Sequence, residues 1–206
     1  MIIYRHTTPE ETPLCAKGSV VTIGNFDGVH KGHQAVLQTA RSHAKTLGVP
    51  TVVLTFEPHP RAVLTPEKAP VQLTTFEEKC ALLERYGADA VYAIDFTKAY
   101  AATTPEQFVT ETLVKTLRAK QVVIGYDFAF GKGRAGNADM LQQLGQKLSY
   151  GLTIIPPQEA SKGGVVYAST EVRKALANAD FELAEALLGH RLAIFESYRP
   201  KHGQVS

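Results

Sequence analysis

The apolar positions of this chain fall into five short runs that are rich in β-branched residues. Each run is apolar nearly throughout and does not alternate with polar residues. The runs span residues 19–26, 50–56, 89–96, 120–126 and 151–156. Such runs are typical of strands in a parallel sheet whose two faces are both covered. The pattern therefore predicts a central parallel sheet.

The segments between these runs carry helical patterns with recognisable start signals. In 32–47, apolar residues recur at helical spacing, and Gly48 follows as a stop. Thr75 and Thr104 are predicted to begin the next two helices as capping boxes, and Asn137 is predicted to cap another. Alternating strands and helices predict an α/β fold, a Rossmann-like doubly wound parallel sheet in an α/β/α sandwich with right-handed crossovers.

The pattern changes after Ser169. Two further helices are predicted, with a break near residues 178–180, where Asp180 caps the second. The last residues, 191–206, show no clear element beyond a short possible strand. We therefore expect one domain over residues 1–190, followed by a tail.

Composition narrows the function classes without indicating one. The chain has 206 residues, and its 22 basic and 20 acidic residues leave a formal charge of +2. This balance argues against a general nucleic-acid binder, although a local site could still hold a small anion. Two cysteines are too few for a disulfide framework, and there is no signal-peptide pattern or apolar run of transmembrane length. We expect a soluble cytoplasmic protein without membrane or nucleic-acid partners.

The candidate chemistry lies in the sequence GNFDGVHKGH, residues 24–33, between the first predicted strand and the first predicted helix. In α/β proteins, free N–H groups and the positive end of the helix dipole converge at such a turn and hold phosphates. Glycines let the backbone approach an anion closely. His30 and His33 are three residues apart and share a face of the first helical turn, where they can donate hydrogen bonds to phosphate oxygens.

Two plainer interpretations stand beside the phosphate site. The histidines could bind a metal, although no further ligand at suitable spacing supports this, or they could be polar residues of an ordinary turn. The stretch matches neither GxGxxG nor GxxxxGK[ST], so a dinucleotide-binding fingerprint and a P-loop are both excluded.

The same stretch resembles the signature of the HxGH nucleotidyltransferases, and in its longer form that of the bacterial bifunctional FAD synthetases. Three more segments match the family in order: TFEPHPRAVL at 55–64, VVIGYDFAFGKGRAGN at 122–137 and STEVRKAL at 169–176. LAEALLGH at 183–190 resembles the helix that ends the family's adenylyltransferase module. Four ordered motifs make a chance match improbable.

The resemblance implies an FMN adenylyltransferase. Such an enzyme transfers AMP from ATP to FMN with Mg²⁺, giving FAD and pyrophosphate by direct attack of the FMN phosphate. It needs no covalent enzyme intermediate, so positioning and charge stabilisation can carry the chemistry. ATP and FMN are then the expected small-molecule partners, and the oligomeric state is left open.

The resemblance also implies site residues, matched by position. The catalytic group would be His30, His33 and Arg173. The nucleotide would be bound by Gly24, Asn25, Phe26, Asp27, Gly32, Ser169 and Thr170. The flavin side would be lined by Phe56, Pro58, Arg61, Asp127, Phe128 and Phe130. The residues that hold the metal stay open, with Asp127 a candidate. The phenylalanines could equally be core residues, and Ser169 could be a plain helix cap.

The chain departs from the family pattern in two ways. Ala168 replaces a hydroxyl residue of the last motif, and Val166 stands where some relatives have an arginine, so fewer phosphate contacts are expected. The glycine-rich and Pro-Thr-Ala-Asn segments of the riboflavin kinase domain are also missing. Residues 191–206 are therefore expected to be a tail or the stub of a missing kinase domain, and no kinase activity is expected of this chain.

Two alternatives remain beside FMN adenylyltransferase. The first keeps the chemistry with another acceptor, but TFEPHP and DFAFGKGR belong to the flavin branch and argue against it. The second is a flavin- or nucleotide-binding protein with little catalysis. The loss of phosphate-binding residues from the last motif supports this interpretation, whereas the presence of both His30 and His33 argues against it.

Overall fold

A six-stranded sheet forms the centre of the computed structural model, which describes residues 1–6, 15–159, 164 and 166–198. The strands are Ile2–His6 (β1), Ser19–Ile23 (β2), Thr51–Glu57 (β3), Ala90–Asp95 (β4), Ala119–Gly125 (β5) and Gly151–Ile155 (β6). Their order is β1-β4-β3-β2-β5-β6, and all neighbouring pairs are parallel. The five predicted strands and their parallel pairing are confirmed.

The helices follow the predicted alternation. They are Lys31–Leu47 (α1), Pro60–Leu64 (α2), Phe76–Arg85 (α3), Pro105–Gln107 (α4), Ala138–Leu148 (α5), Ser169–Ala177 (α6), Phe181–Leu188 (α7) and Phe195–Tyr198 (α8). The predicted start signals are confirmed, because the side chains of Thr75, Thr104, Asn137 and Asp180 each accept a hydrogen bond from the N–H three residues later. Gly48 ends α1 with a φ of 65°, in the left-handed region.

Different helices cover the two faces of the sheet. Neighbouring strand residues point to opposite faces, so Val52 and Leu54 belong to one apolar cluster and Val53 to another. The first cluster also holds Leu113 and Leu141, from the region after α4 and from α5. The second holds residues of α1 and α3, including Leu37, Phe76 and Leu83. The α/β/α sandwich with a doubly wound sheet is therefore confirmed.

The helix that begins at Thr104 differs from the prediction in its winding. Only Pro105–Gln107 is α-helical, and Phe108–Thr116 continues as a π-helix. The Leu117 N–H bonds to the Thr112 carbonyl five residues back, and the Thr116 hydroxyl donates to the Glu111 carbonyl. Such hydrogen bonds depend on packing, which an apolar repeat in the sequence does not encode.

The sequence pattern does not predict β1. This strand lies at the edge of the sheet, where Ile2 and Ile3 keep 49% and 45% of their surface exposed. Its pairing with β4 joins residues that are some 90 positions apart. A short edge strand of this kind lacks the continuous apolar run of a central strand.

The prediction of a short strand within residues 191–206 is wrong for the part of that segment that the structure describes. Phe195–Tyr198 forms the short helix α8, and residues 199–206 lie outside the described residues. Leu192 and Phe195 are buried against α6 and α7 in a third apolar cluster that also includes Leu73. The packed structure therefore extends past residue 190. No described helix is long and apolar enough to cross a membrane.

Candidate functional site

The candidate site lies at the carboxyl edge of the sheet, next to β2. This strand pairs with β3 on one side and β5 on the other, so the chain order reverses there. In open α/β sheets, ligands bind outside the carboxyl ends of the strands at such a switch point. Residues 24–30, which we call the β2–α1 loop, leave β2 at this position and lead into α1.

The β2–α1 loop has an unusual backbone. Phe26, Gly28 and Val29 have φ values of 50°, 77° and 43°, all in the left-handed region. This region is rare for a non-glycine residue and strained for a β-branched one. Position 28 requires glycine for a second reason, since an added Cβ would lie 2.8 Å from Leu73 Cδ1. The loop is therefore held in a conformation that the chain would not adopt by itself.

His30 and His33 form a stacked pair at the start of α1. Their ring centroids are 3.7 Å apart with 22° between the planes. His30 is the N-cap, and its Nδ1 accepts a hydrogen bond from the His33 N–H at 3.3 Å. Because Nδ1 is the acceptor, a neutral His30 carries its proton on Nε2. Nδ1 of His33 is buried and has no hydrogen-bond partner in the described part of the chain.

The surroundings keep both imidazoles neutral. Burial, helped by the positive charge of Arg173, lowers the pKa of His30 to about 4. Burial also lowers the pKa of His33 well below its usual range, and the charges of His30 and Lys79 act in the same direction. Near neutral pH the pair therefore presents N–H donors without a net charge.

The first turn of α1 meets the chain segment that enters α6. A Cβ at Gly32 would lie 3.0 Å from the Tyr167 carbonyl oxygen and 3.1 Å from the His30 ring. The Ser169 hydroxyl donates a hydrogen bond of 2.8 Å to the Asp27 carbonyl. The starts of α1 and α6 thus lie side by side, and we call the space that they border the cleft. The glycine of the His-Lys-Gly-His sequence permits this close approach.

Asp27 is an anchor of the loop, and its side chain does not line the cleft as a free carboxylate. The carboxylate is buried and accepts hydrogen bonds from the N–H groups of Leu73 and Thr74, at 2.9 and 3.1 Å, and from the Thr74 hydroxyl at 3.1 Å. It also forms an ion pair with Arg173. Arg173 in turn donates through Nε to the Val71 carbonyl at 2.6 Å. These contacts join the β2–α1 loop, residues 71–74 and α6.

The other expected nucleotide residues differ in how they could act. Phe26 is 1% exposed and packs under His33, with ring centroids 4.9 Å apart, so only its backbone can reach a ligand. Gly24 packs against the Phe26 ring. The side chains of Asn25 and Thr170 are exposed at the loop and at the start of α6.

The expected flavin residues flank the β2–α1 loop, at the ends of β3 and β5. Phe56 is half-buried and meets Phe96 edge-on, with centroids 5.7 Å apart. Pro58, which follows a cis peptide bond, and Arg61 on α2 are exposed. The end of β3 therefore offers a ligand one half-buried ring and two exposed side chains.

At the end of β5, Asp127 is exposed and Phe128 is half-buried. Phe130 is a core residue, because it is 5% exposed and packs between Phe108 and Phe128. An added Cβ at Gly136 would lie 2.7 Å from its ring. Phe130 therefore has a packing role, and a flavin contact from its side chain stays a prediction.

Sequence reasoning assigned no role to two further groups near the cleft. Lys79 of α3 is buried, and its ammonium lies 3.4 Å from a Glu57 carboxylate oxygen. His59 is half-buried at the start of α2, where its Nδ1 accepts from the Arg61 N–H at 3.1 Å. Burial lowers the pKa of His59; the charge of Asp27 opposes this shift, whereas those of Arg173 and Lys79 reinforce it.

A signal for Lys79 was present in the sequence. It follows Phe76 by three positions and precedes Leu83 by four, so it stands in the apolar stripe of α3. A lysine in such a stripe must find a partner when it is buried. His59 lies inside a quoted motif, but its role as a helix cap becomes visible only with the structure.

Comparisons with known proteins show the family of this chain. A family model described as FAD synthetase matches residues 12–170. The bifunctional riboflavin kinase/FMN adenylyltransferase of Escherichia coli K12 is 44% identical over 187 residues, which cover 91% of this chain and 58% of that protein. The protein of the same name from Pseudomonas fluorescens is 43% identical over 188 residues, with 91% and 59% covered. The chain thus spans less than two thirds of the length of these relatives.

Solved structures support the fold. A crystal structure from Streptococcus pneumoniae, described as a macrolide-efflux protein, superposes with a TM-score of 0.76 at 29% identity and covers 93% of this chain and 61% of that one. A pantoate–β-alanine ligase from Francisella tularensis superposes with a TM-score of 0.55 at 14% identity, covering 92% and 78%. The second likeness concerns the fold alone.

Proposed function

The chain belongs to the FAD synthetase family, and on that premise we propose that it transfers the adenylyl group of ATP to FMN, giving FAD and pyrophosphate. The observation that carries the proposal is the meeting of two helix starts at the switch point of the sheet. Ser169 at the start of α6 bonds to the loop that leads into α1. The first N–H groups of a helix have no partner within it and bind anions. Two such ends side by side suit a triphosphate.

In this proposal the stacked histidines donate hydrogen bonds to the phosphates. Nε2–H of His30 is its free donor, because Nδ1 is used by the His33 N–H. An anionic ligand would raise the low pKa of both rings and favour the protonated form as charge develops on the transferring group. Neutral rings in the free chain avoid the cost of a buried, uncompensated charge pair.

The reaction itself needs no enzyme nucleophile. A phosphate oxygen of FMN forms a bond to the α-phosphorus of ATP, and the bond from that phosphorus to the oxygen bridging to the β-phosphorus breaks. Pyrophosphate carries away the electron pair. Both cysteines of the chain, Cys15 and Cys80, are buried, and the proposal uses neither. Catalysis then rests on in-line positioning and charge stabilisation.

Arg173 and α6 would hold the pyrophosphate end. Arg173 uses Nε for Val71 and Nη2 for Asp27, which leaves Nη1 for a phosphate oxygen. A guanidinium fixed in this way is preorganised and loses little freedom when it binds an anion. Ser169 contributes through its backbone N–H, since its hydroxyl is bound to the loop. The phosphate contact from Arg173 would offset part of the loss of phosphate contacts that Ala168 and Val166 cause relative to the family pattern.

The metal assignment follows from the available carboxylates. Among the described residues no three His, Cys, Asp or Glu side chains are grouped as a metal site. Mg²⁺ is commonly held by one or two carboxylates together with substrate phosphates and water. We therefore assign it to the ATP complex, where it would neutralise phosphate charge, with the exposed Asp127 as the candidate protein ligand.

The flavin would lie at the ends of β3 and β5. Phe56 and Phe128 offer half-buried rings for the isoalloxazine, and the exposed Arg61 offers a charge for the FMN phosphate. Phe96 is a further candidate, because its ring meets Phe56 edge-on. The cytoplasmic location and the absence of nucleic-acid partners stay predictions.

One assay separates the candidate functions. Purified protein is mixed with ATP, Mg²⁺ and FMN, and FAD and pyrophosphate are quantified together. Equal amounts of both are expected. Turnover of ATP only with a different phosphate-ester acceptor would overturn the choice of FMN. Saturable binding of FMN or ATP with no product would instead favour the binding-protein alternative. With riboflavin in place of FMN, no FMN should form.

A further inference from the structure

Two side chains to which the proposed function gives no role hold strained peptide groups of the β2–α1 loop. The carbonyl of Gly28 accepts a hydrogen bond from His190 Nε2 at 3.1 Å. The next carbonyl, that of Val29, accepts from Gln34 Nε2 at 2.8 Å. Gly28 and Val29 are also two of the three loop residues with positive φ. The restraints therefore act where the backbone is least able to keep its own shape.

Both side chains are themselves fixed by neighbouring elements. Gln34 Nε2 also donates to the Leu188 carbonyl at 2.6 Å, in the last turn of α7. His190 follows α7 by two residues, is buried, and has its Nδ1 3.1 Å from the Tyr86 hydroxyl. A carbonyl can only accept, so a neutral His190 carries its proton on Nε2, and Nδ1 accepts from Tyr86. The end of α7 and the loop are thus joined by three hydrogen bonds.

These bonds fix the two peptide planes that precede α1. In a trans peptide the C=O and the N–H point in opposite directions. The Gly28 carbonyl points to His190 and the Val29 carbonyl to Gln34, so the N–H groups of Val29 and His30 point away from these side chains. His30 is the N-cap of α1, and its ring stacks on His33. The position of both rings consequently depends on the planes that His190 and Gln34 hold.

We propose that His190 and Gln34 are positioning residues for adenylyl transfer, which hold the Gly28–Val29 and Val29–His30 peptides so that His30 and His33 face the triphosphate. The proposal rests on the function proposed above. Neither side chain touches the ligand. Each acts through the loop, so their loss should lower kcat more than it raises the KM for FMN.

Four variants test the proposal with matched controls. His190→Leu removes both ring contacts, whereas His190→Gln keeps an N–H donor that can reach the Gly28 carbonyl. Gln34→Leu removes the second restraint, and Gln38→Leu is the same change one turn later on the exposed side of α1. We expect kcat to fall roughly 10- to 100-fold in His190→Leu and Gln34→Leu, since a small misplacement of reacting groups has this cost. His190→Gln should recover most of the loss, and Gln38→Leu should match the parent chain.

A second measurement does not depend on turnover. Proton NMR titration of ligand-free protein reports the pKa of His30, which is low because its ring is buried. In Gln34→Leu and His190→Leu the ring should gain access to water, and its pKa should rise towards 6.5. If the parent chain makes no FAD while this shift occurs, the proposed function fails, but His190 and Gln34 are still shown to hold His30 in place through the loop. If FAD is made and both variants keep the parent kcat and the parent titration of His30, the positioning proposal is overturned.

Discussion

At the scale of single residues, the site depends on two imidazoles that burial keeps neutral. His30 and His33 stack at 3.7 Å, and Nδ1 of His33 has no partner within the described residues. A buried polar atom left unpaired costs free energy, and in a binding site a ligand can satisfy it. The His-x-x-His spacing was enough to predict that both rings share a face. Their stacking and their low pKa values depend on packing that comes from residues distant in sequence.

We expect His33→Ala to lower kcat about 100- to 1,000-fold, the usual effect of removing one donor to a transition-state anion. The melting temperature should fall far less than kcat, because the Nδ1 of this ring has no hydrogen-bond partner among the described residues that its removal would leave unpaired. Steady-state kinetics and thermal unfolding of the same samples provide the test. His43→Ala, the same change further along α1, is the control and should keep the parent kcat. Parallel losses of activity and stability in His33→Ala would instead identify a structural residue.

The buried histidines also predict how stability depends on pH. His30 binds a proton near pH 6.5 when unfolded but only near pH 4 when folded, so acid in this window favours the unfolded chain. The free energy of unfolding should therefore fall by about 2 kcal/mol between pH 7 and pH 5 from this residue. Asn is also a good N-cap, so His30→Asn should keep the helix start and reduce the fall. Urea unfolding of the parent chain and of His30→Asn at both pH values measures this fall. If the free energy of unfolding falls equally in both proteins, the prediction is contradicted.

At the scale of elements, the order of strands and helices could be predicted well and their connections could not. Capping boxes at Thr75 and Thr104 are local signals, and both are confirmed. The Asp27–Arg173 ion pair joins residues 146 positions apart, and no local sequence pattern at either residue predicts it. A sequence motif indicates that a residue matters without telling whether it contacts the ligand or holds its neighbours. The hydrogen bonds of Asp27 show that it holds its neighbours, and its contact with a nucleotide stays a prediction.

Breaking the Asp27–Arg173 pair should destabilise the fold. Asp27→Asn leaves an uncompensated guanidinium beside residues 71–74, and removing one partner of a largely buried pair costs about 3–5 kcal/mol. The more exposed Glu171–Lys174 pair lies on the same helix, and Glu171→Gln should cost less than about 1 kcal/mol. Chemical denaturation of both variants compares the two pairs. A loss of similar size in both would refute an anchoring role for Asp27.

At the scale of the whole molecule, the helices α6 to α8 pack against the segment that anchors the β2–α1 loop. Their apolar cluster includes Leu73, from the segment that binds Asp27. The sequence places a domain boundary at residue 190, because the apolar pattern weakens there. In the structure, Phe195 is completely buried in the same cluster. The helix that carries it has four residues, which is too short for an apolar repeat to predict it from the sequence.

Phe195→Ala should therefore cost about 3–5 kcal/mol, as expected for a large buried aromatic side chain. Ser197→Ala, two residues later on the exposed side of α8, should change stability by less than about 0.5 kcal/mol. Equilibrium unfolding in urea distinguishes the two. If Phe195→Ala unfolds at the parent midpoint, the segment after residue 190 does not belong to the folded unit.

The central position of β2 has a consequence for the timescales of the site. All five of its residues are buried, and β3 and β5 flank it on both sides. Hydrogen–deuterium exchange should show that its amide protons exchange only when the whole chain opens. We therefore expect the cleft to lie on a slowly opening part of the sheet, so that a bound ligand dissociates many times before the strand beneath it opens.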